Sequence, residues 1–190
     1  GRVLRRIIES GEIPNLIFYG PSGVGKTTVA KIIAKRCGKK LCYLNATTAS
    51  TADIKEIIST IGTVDAARGI LLYLDEIQYF NKKQQQILLS YIESGDITLI
   101  ASTTENPFFY VYNAILSRST VFEFKALSAD DIAEVILRAA RILSEEQQTE
   151  ITVADAAVKK LSAAANGDVR RALNMVELGV MLTKDETPRE

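Results

Sequence analysis

The chain has 190 residues, 47% of them hydrophobic and 24% charged, with 23 basic and 23 acidic side chains and no histidine. Such a composition excludes a disordered or low-complexity chain, and zero net charge argues against a globally basic nucleic-acid binder. Cys37 and Cys42 alone cannot supply the usual zinc ligand sets, and no apolar run reaches the roughly 20 residues of a membrane helix.

Charge is unevenly spread, with nine Lys/Arg against two Glu in residues 1–40 and nine against twelve acids in residues 125–190. A local basic patch is therefore allowed. The N-terminus lacks the layout of a signal peptide, so a cytoplasmic protein with reduced cysteines and no membrane partner is expected.

The first apolar run, Leu16–Tyr19, leads directly into "GPSGVGKTT". This satisfies G-x-x-x-x-G-K-[ST] with Gly20, Gly25, Lys26 and Thr27. Glycines let backbone N–H groups wrap a phosphate chain, and the helix expected from about Lys26 adds its positive end. Gly20, Pro21, Ser22, Gly23, Val24, Gly25, Lys26, Thr27 and Thr28 are thus the candidate ATP-binding loop, with Lys26 on the β- and γ-phosphates and Thr27 on Mg²⁺. A glycine-rich turn with no ligand is the competing account, and a strand before the motif with a helical pattern after it speaks against that.

Further apolar runs follow at Leu41–Leu44, Ile70–Leu74, Ile97–Ala101 and Val121–Phe124, separated by segments of helical character. Runs without polar alternation suit strands buried on both faces of a parallel sheet. The expectation is an α/β fold, a five-stranded parallel P-loop NTPase sheet flanked by helices.

The third run ends in adjacent carboxylates, Asp75 and Glu76. A P-loop enzyme needs a second strand delivering a carboxylate beside the loop, so Asp75 is the candidate Mg²⁺ ligand, acting through water. Glu76, expected on the opposite side of the strand, is positioned to orient or deprotonate the attacking water. Without the loop, two acids at a strand end would simply be solvated.

The segment Lys82–Glu93 places Ile87, Leu88, Tyr91 and Ile92 on one helical face, with Lys82, Lys83, Gln85 and Gln86 largely elsewhere and Gly95 as the stop. From Leu127 the pattern is helical only. Ser128 with Asp131 forms a capping-box signature, Thr152 with Asp155 offers a second, and "ANGDVRRALNMVELGVML" a third helix with Asp168 near its start. The expected organisation is an ATPase core over residues 1–125, a small three-helix lid over 126–183 and a tail over 184–190.

Taken together, "GPSGVGKT", "LLYLDE", "IASTT", "AILSRS" and "GDVRRALN" resemble the AAA+ ATPases, and within them the clamp-loader group. More narrowly, "FNKKQQ", "YIESG" and "TTENPFF" before "AILSRS" resemble the MgsA/RarA family, which includes the Werner helicase-interacting protein. The resemblance implies that Thr104, or its neighbour Thr103, is the sensor 1 residue contacting the γ-phosphate or its attacking water. It implies that Arg118 is an arginine finger reaching a neighbouring subunit's nucleotide, and that Arg170 is the sensor 2 arginine gripping phosphates. Arg171, about 100° further round its helix, is expected to face elsewhere.

By the same resemblance the complete protein is a DNA-dependent ATPase in replication-linked recombination and repair, self-associating as a tetramer, with single-strand-binding protein as a candidate partner. The family's adenine-contacting segment would precede Gly1 and its tetramer-forming region would follow the third helix, so an excised ATPase module is expected. Gln78-Tyr79 stands where the family commonly has His-Arg. Competing functions are a clamp-loader subunit, against which "TTENPFF" argues, and a nucleotide-binding scaffold without turnover, against which Glu76 argues. A small-molecule kinase would need an acceptor-binding lid between strands, whereas the helical segment follows them.

Overall fold

The structure, a computed structural model, describes residues 2–183. The expected tail at 184–190 lies outside the described residues. The described residues divide into two compact units, one running up to Gly20 and including Lys26–Phe124, the other holding Pro21–Gly25 and the described residues from Lys125 to Thr183.

The first unit is built on five parallel strands, β1 (Asn15–Tyr19), β2 (Lys40–Asn45), β3 (Ile70–Asp75), β4 (Ile97–Thr103) and β5 (Ser119–Glu123), in the order β2-β3-β4-β1-β5. All five expected runs are strands. The last begins two residues before the expected Val121 and ends at Glu123. Helices α1 (Arg2–Ser10), α2 (Lys26–Cys37), α3 (Thr51–Ser59) and α4 (Lys82–Glu93) flank the sheet, with two one-turn helices, α5 (Pro107–Tyr110) and α6 (Asn113–Leu116), between β4 and β5.

Both faces of the sheet are covered, which is why its strands read as unbroken apolar runs. Alternation still assigns each side chain to a face. Ile17, Ile70, Leu72, Leu74 and Leu99 join one core with Ile54, Leu88 and Ile92 of α3 and α4. Leu16, Phe18, Leu71, Tyr73 and Ile100 join the other with Ala30, Ile33 and Ala34 of α2. Each fully buried Leu, Ile or Phe contributes about 1.5–3 kcal/mol of apolar transfer free energy.

Helix α4 has the expected bounds, a capping box from Asn81 and Gln84, and a stop at Ser94 before Gly95 at φ 81°. One of its expected outward residues is not outward. Gln85 is 2% exposed, its amide donating to Phe80 O at 2.9 Å and Tyr110 O at 3.1 Å while its carbonyl accepts from Tyr112 N at 2.8 Å. Burial is tolerated because the backbone around α5 would otherwise leave these groups unpaired.

The second unit contains α7 (Ala129–Gln147), α8 (Asp155–Ala165) and α9 (Val169–Thr183), packed through Ile132, Ile136, Val158, Ala165, Ala172 and Val176. Ser128 and Asp131 form the expected capping box on α7. The second expected cap is corrected: Ala154, not Thr152, precedes α8 and makes no side-chain cap. Asp155 is already the first helical residue, where it cannot complete a box with Thr152. Asp168 caps α9, accepting from Arg171 N at 3.1 Å, and Val169 N donates to Gly23 O at 3.0 Å. Among the described residues no helix is long and apolar enough to cross a membrane.

Candidate nucleotide site

The loop between β1 and α2 takes its shape from three glycines in conformations that side chains avoid: Gly20 at φ 140°, Gly23 at 70° and Gly25 at 93°. Gly20 also lies so close to the end of β5 that a Cβ would overlap the Phe124 carbonyl. Its N–H donates to Thr103 O at 3.1 Å, tying the loop entrance to β4. Helix α2 starts at Lys26, whose side chain is 7% exposed and donates to Gly20 O at 2.6 Å. A buried ammonium beside a loop of backbone N–H groups attracts anions.

Strand parity then brings four residues to the α2 face of the sheet. Tyr73 lies in the core facing α2, so Asp75, two residues on, shares its side. Tyr43 pairs in register with Tyr73 and stacks on it, ring centroids 5.6 Å apart, and Ser102 follows Ile100 by two. Tyr73 Oη lies 3.0 Å from Thr27 Oγ1 and donates to Asp75 Oδ1 at 3.3 Å. Ser102 Oγ donates to the same Oδ1, and Tyr43 Oη donates to Oδ2 at 3.1 Å. Burial pushes the Tyr73 phenol up to about 12, so it remains a hydrogen donor at neutral pH.

Tyr73, Tyr43 and Ser102 were not among the candidates read from sequence. The available signal was parity: each hydroxyl sits in a strand run on the face that carries Asp75. Nothing in their residue types alone marks them, because a tyrosine in an apolar run reads as core.

Beyond Asp75 the strand ends, and Glu76 adopts left-handed backbone at φ 55°, ψ 48° before a 3-10 turn over Ile77–Tyr79. That bend, and not strand alternation, sets its direction; such a conformation costs a non-glycine residue about 1–3 kcal/mol. Gln78 Nε2 donates to Glu76 Oε2 at 2.6 Å and Thr104 Oγ1 donates to the same oxygen at 3.3 Å. Gln78 Oε1 is buried with no hydrogen-bond partner among the described residues. The neighbouring threonines differ: Thr103 is fully buried, its hydroxyl engaged with Glu105 O and N at 3.3 and 3.0 Å, whereas Thr104 is exposed.

The structure therefore links Thr27 with Asp75, and Glu76 with Thr104. Arg118 stands apart from these, its guanidinium 2.6 Å from Glu93 Oε1 and donating to Ala114 O at 2.9 Å. Arg170 lies exposed on the first turn of α9, where it and Arg171 border one shallow depression with Asp168 and Asn174. Both arginines border that depression.

The donor set suits magnesium. Thr27 offers a hydroxyl and Asp75 a carboxylate, hard oxygen ligands of the kind Mg²⁺ takes alongside substrate phosphates. Among the described residues no cluster of three His, Cys, Asp or Glu side chains forms an all-protein metal cage.

A family model described as "ATPase family associated with various cellular activities (AAA)" matches residues 16–127. ATPase WRNIP1 of Dictyostelium discoideum is 36% identical over 185 residues, 97% of this chain but 21% of that protein. Replication-associated recombination protein A of Escherichia coli K12 is 38% identical over 185 residues, 94% of this chain and 40% of that protein. The chain thus spans less than half the length of these relatives. Among solved structures, Thermotoga maritima RuvB, a Holliday junction branch migration motor, superposes with a TM-score of 0.75 at 24% identity, covering 98% of this chain and 61% of that one.

Proposed function

Because the chain belongs to the AAA family of ATPases, we propose that it is the ATP-binding and ATP-hydrolysing module of a larger protein that acts on DNA in replication-linked recombination. The observation that carries the hydrolytic part is the pairing of Glu76 with Thr104 beside Asp75. The recombination part rests on the printed name of the Escherichia coli relative, replication-associated recombination protein A.

Backbone N–H groups of Ser22, Gly23, Val24 and Gly25, with Lys26, Thr27 and Thr28, bind the phosphates, while Gly20 and Pro21 shape the entrance of the loop. Thr27 and Asp75 hold Mg²⁺, which would neutralise charge on the β- and γ-phosphate oxygens. Both donors to Glu76 use Oε2, which supports Oε1 as the oxygen that orients water and accepts its proton. Thr104 is favoured over Thr103 as sensor 1, because its hydroxyl is exposed and already reaches Glu76. Its donation to Oε2 holds the base in place, a positioning task.

Arg118 is proposed to act in a neighbouring copy, where a guanidinium beside the spreading transition-state charge is worth about 10³–10⁵ in rate. Its exposure and its place just before β5, whose first residue Ser119 pairs with Asn15 at the end of β1 opposite the phosphate loop, support that reading. Arg170 is proposed as a phosphate ligand. Self-association, a tetramer in the complete protein, a cytoplasmic location and single-strand-binding protein as a partner belong to the same proposal. DNA contacts would be electrostatic; Lys82, whose ammonium sits 5.3 Å from the Tyr112 ring centroid, and Lys83 are the candidates.

The test is steady-state Mg-ATP hydrolysis per subunit against protein concentration, with Arg118→Ala for comparison. A rate that rises with concentration and collapses in the variant supports a site completed by a neighbour. Binding of ATP without hydrolysis at any concentration, with or without DNA, would remove the enzymatic reading. Retained DNA stimulation after changing Lys82 and Lys83 to Glu would remove those two lysines as contacts.

A further inference from the structure

We propose that Tyr73, supported by Tyr43 and Ser102, is a positioning residue for the metal end of the site: its phenol relays a hydrogen bond from Thr27 to Asp75, so that Thr27 turns lone pairs toward a divalent cation. The inference rests on the nucleotide-binding reading above and adds residues that the P-loop and strand-end motifs do not contain.

Hydrogen accounting carries it. A carboxylate only accepts, so the single phenolic hydrogen of Tyr73 is the one that bridges to Asp75 Oδ1 at 3.3 Å. The shorter contact, 3.0 Å between Tyr73 Oη and Thr27 Oγ1, then needs the hydrogen of Thr27. That hydrogen points into the protein. Both lone pairs of Thr27 Oγ1 are left for ligation, which is the state a cation requires of a hydroxyl ligand.

The same network restrains the other ligand. Asp75 accepts from Tyr73 and Ser102 on Oδ1 and from Tyr43 on Oδ2, three hydroxyl donors on three different strands. Donors on both oxygens hold the carboxylate plane against rotation about its terminal torsion, which is otherwise broad. Tyr73 is itself immobilised, 2% exposed in the core against α2 and stacked on Tyr43 at an interplanar angle of 30°. A ligand pair oriented before the cation arrives binds it more tightly, and removing outer-shell partners of this kind costs about 10–100-fold in metal affinity.

The experiment compares the unaltered chain with Tyr73→Phe, which deletes one oxygen and keeps the ring. A fluorescent ADP analogue is titrated onto each in EDTA and then over a Mg²⁺ series, and Mn²⁺ binding is followed by electron paramagnetic resonance. Equal affinity in EDTA with a Mg²⁺ half-saturation raised about tenfold or more, and weaker Mn²⁺ binding, is the expected result. Tyr43→Phe, altered at an exposed ring where folding is not at stake, should raise the half-saturation in the same direction. Unchanged metal dependence in both variants would overturn the inference alone, as would an equal loss of analogue affinity with and without metal. Metal-independent nucleotide binding by the unaltered chain would overturn the functional reading as well.

Discussion

Thr104 and Glu76 meet across 3.3 Å, hydroxyl to carboxylate, joining the loop after β4 to the bend after β3. The two residues are 28 apart in the chain, and parallel strand pairing is what makes them neighbours. Glu76→Gln keeps the size and removes the base. Hydrolysis is expected to fall about 10²–10⁴-fold while ATP still binds, as for loss of a general base. Thr104→Val should lower turnover by about tenfold, the worth of one hydrogen bond of roughly 1.4 kcal/mol. Single-turnover hydrolysis beside equilibrium ATP binding checks both, and equal losses in binding and turnover would contradict the assigned roles.

Gln85 is predicted to matter for stability. Gln85→Leu fills the space but strands Phe80 O, Tyr110 O and Tyr112 N. A cost of about 2–4 kcal/mol is expected from unpaired buried backbone groups. Urea unfolding measures it; a midpoint within experimental error of the unaltered chain would mean water replaces the amide.

Gly20 is predicted to resist even alanine. Its φ of 140° and the overlap of any Cβ with the Phe124 carbonyl act together, and backbone is the obstacle, not a side chain that could swing away. Gly20→Ala should destabilise by about 2–3 kcal/mol and displace the phosphate loop. Gly25→Ala meets open space and bears only the conformational penalty, so its melting temperature should fall less.

The cap of α7 gives a pH signature. Ser128 Oγ donates to Asp131 Oδ2 at 2.6 Å and Ser128 N at 3.0 Å, and these bonds, the hydroxyl first, hold the Asp131 carboxyl below its ordinary value. A folded-state pKa below the unfolded one contributes stability that is present above the usual carboxylate range and lost as pH falls through the folded value. Ser128→Ala should cost about 1 kcal/mol at neutral pH and flatten the acid limb of the stability profile. Thermal melts from neutral pH down to pH ~3, with Asp131→Asn as companion, test the sign.

Much of this molecule is legible in local sequence because its strongest signals are local. A five-strand parallel sheet follows from unbroken apolar runs separated by helical segments, since strands covered on both faces carry no polar alternation. The phosphate loop is read from a nine-residue stretch because glycine, lysine and threonine act through neighbouring backbone. Asp75 and Glu76 stand out because charge at the end of a buried strand calls for a partner. Tertiary structure alone decided the rest. Gln85 looks like a surface residue until the α5 backbone is laid against it, and Thr152 fails as a cap because α8 starts at Asp155. Tyr73, Tyr43 and Ser102 converge on one carboxylate only after three strands are set in register, and Glu76 finds Thr104 only after the chain bends left-handed at the strand end. The physical reason is range: a cap, a turn or a phosphate loop is written within a few residues, whereas a hydrogen-bond network across a sheet is written in the pairing of segments far apart in the chain.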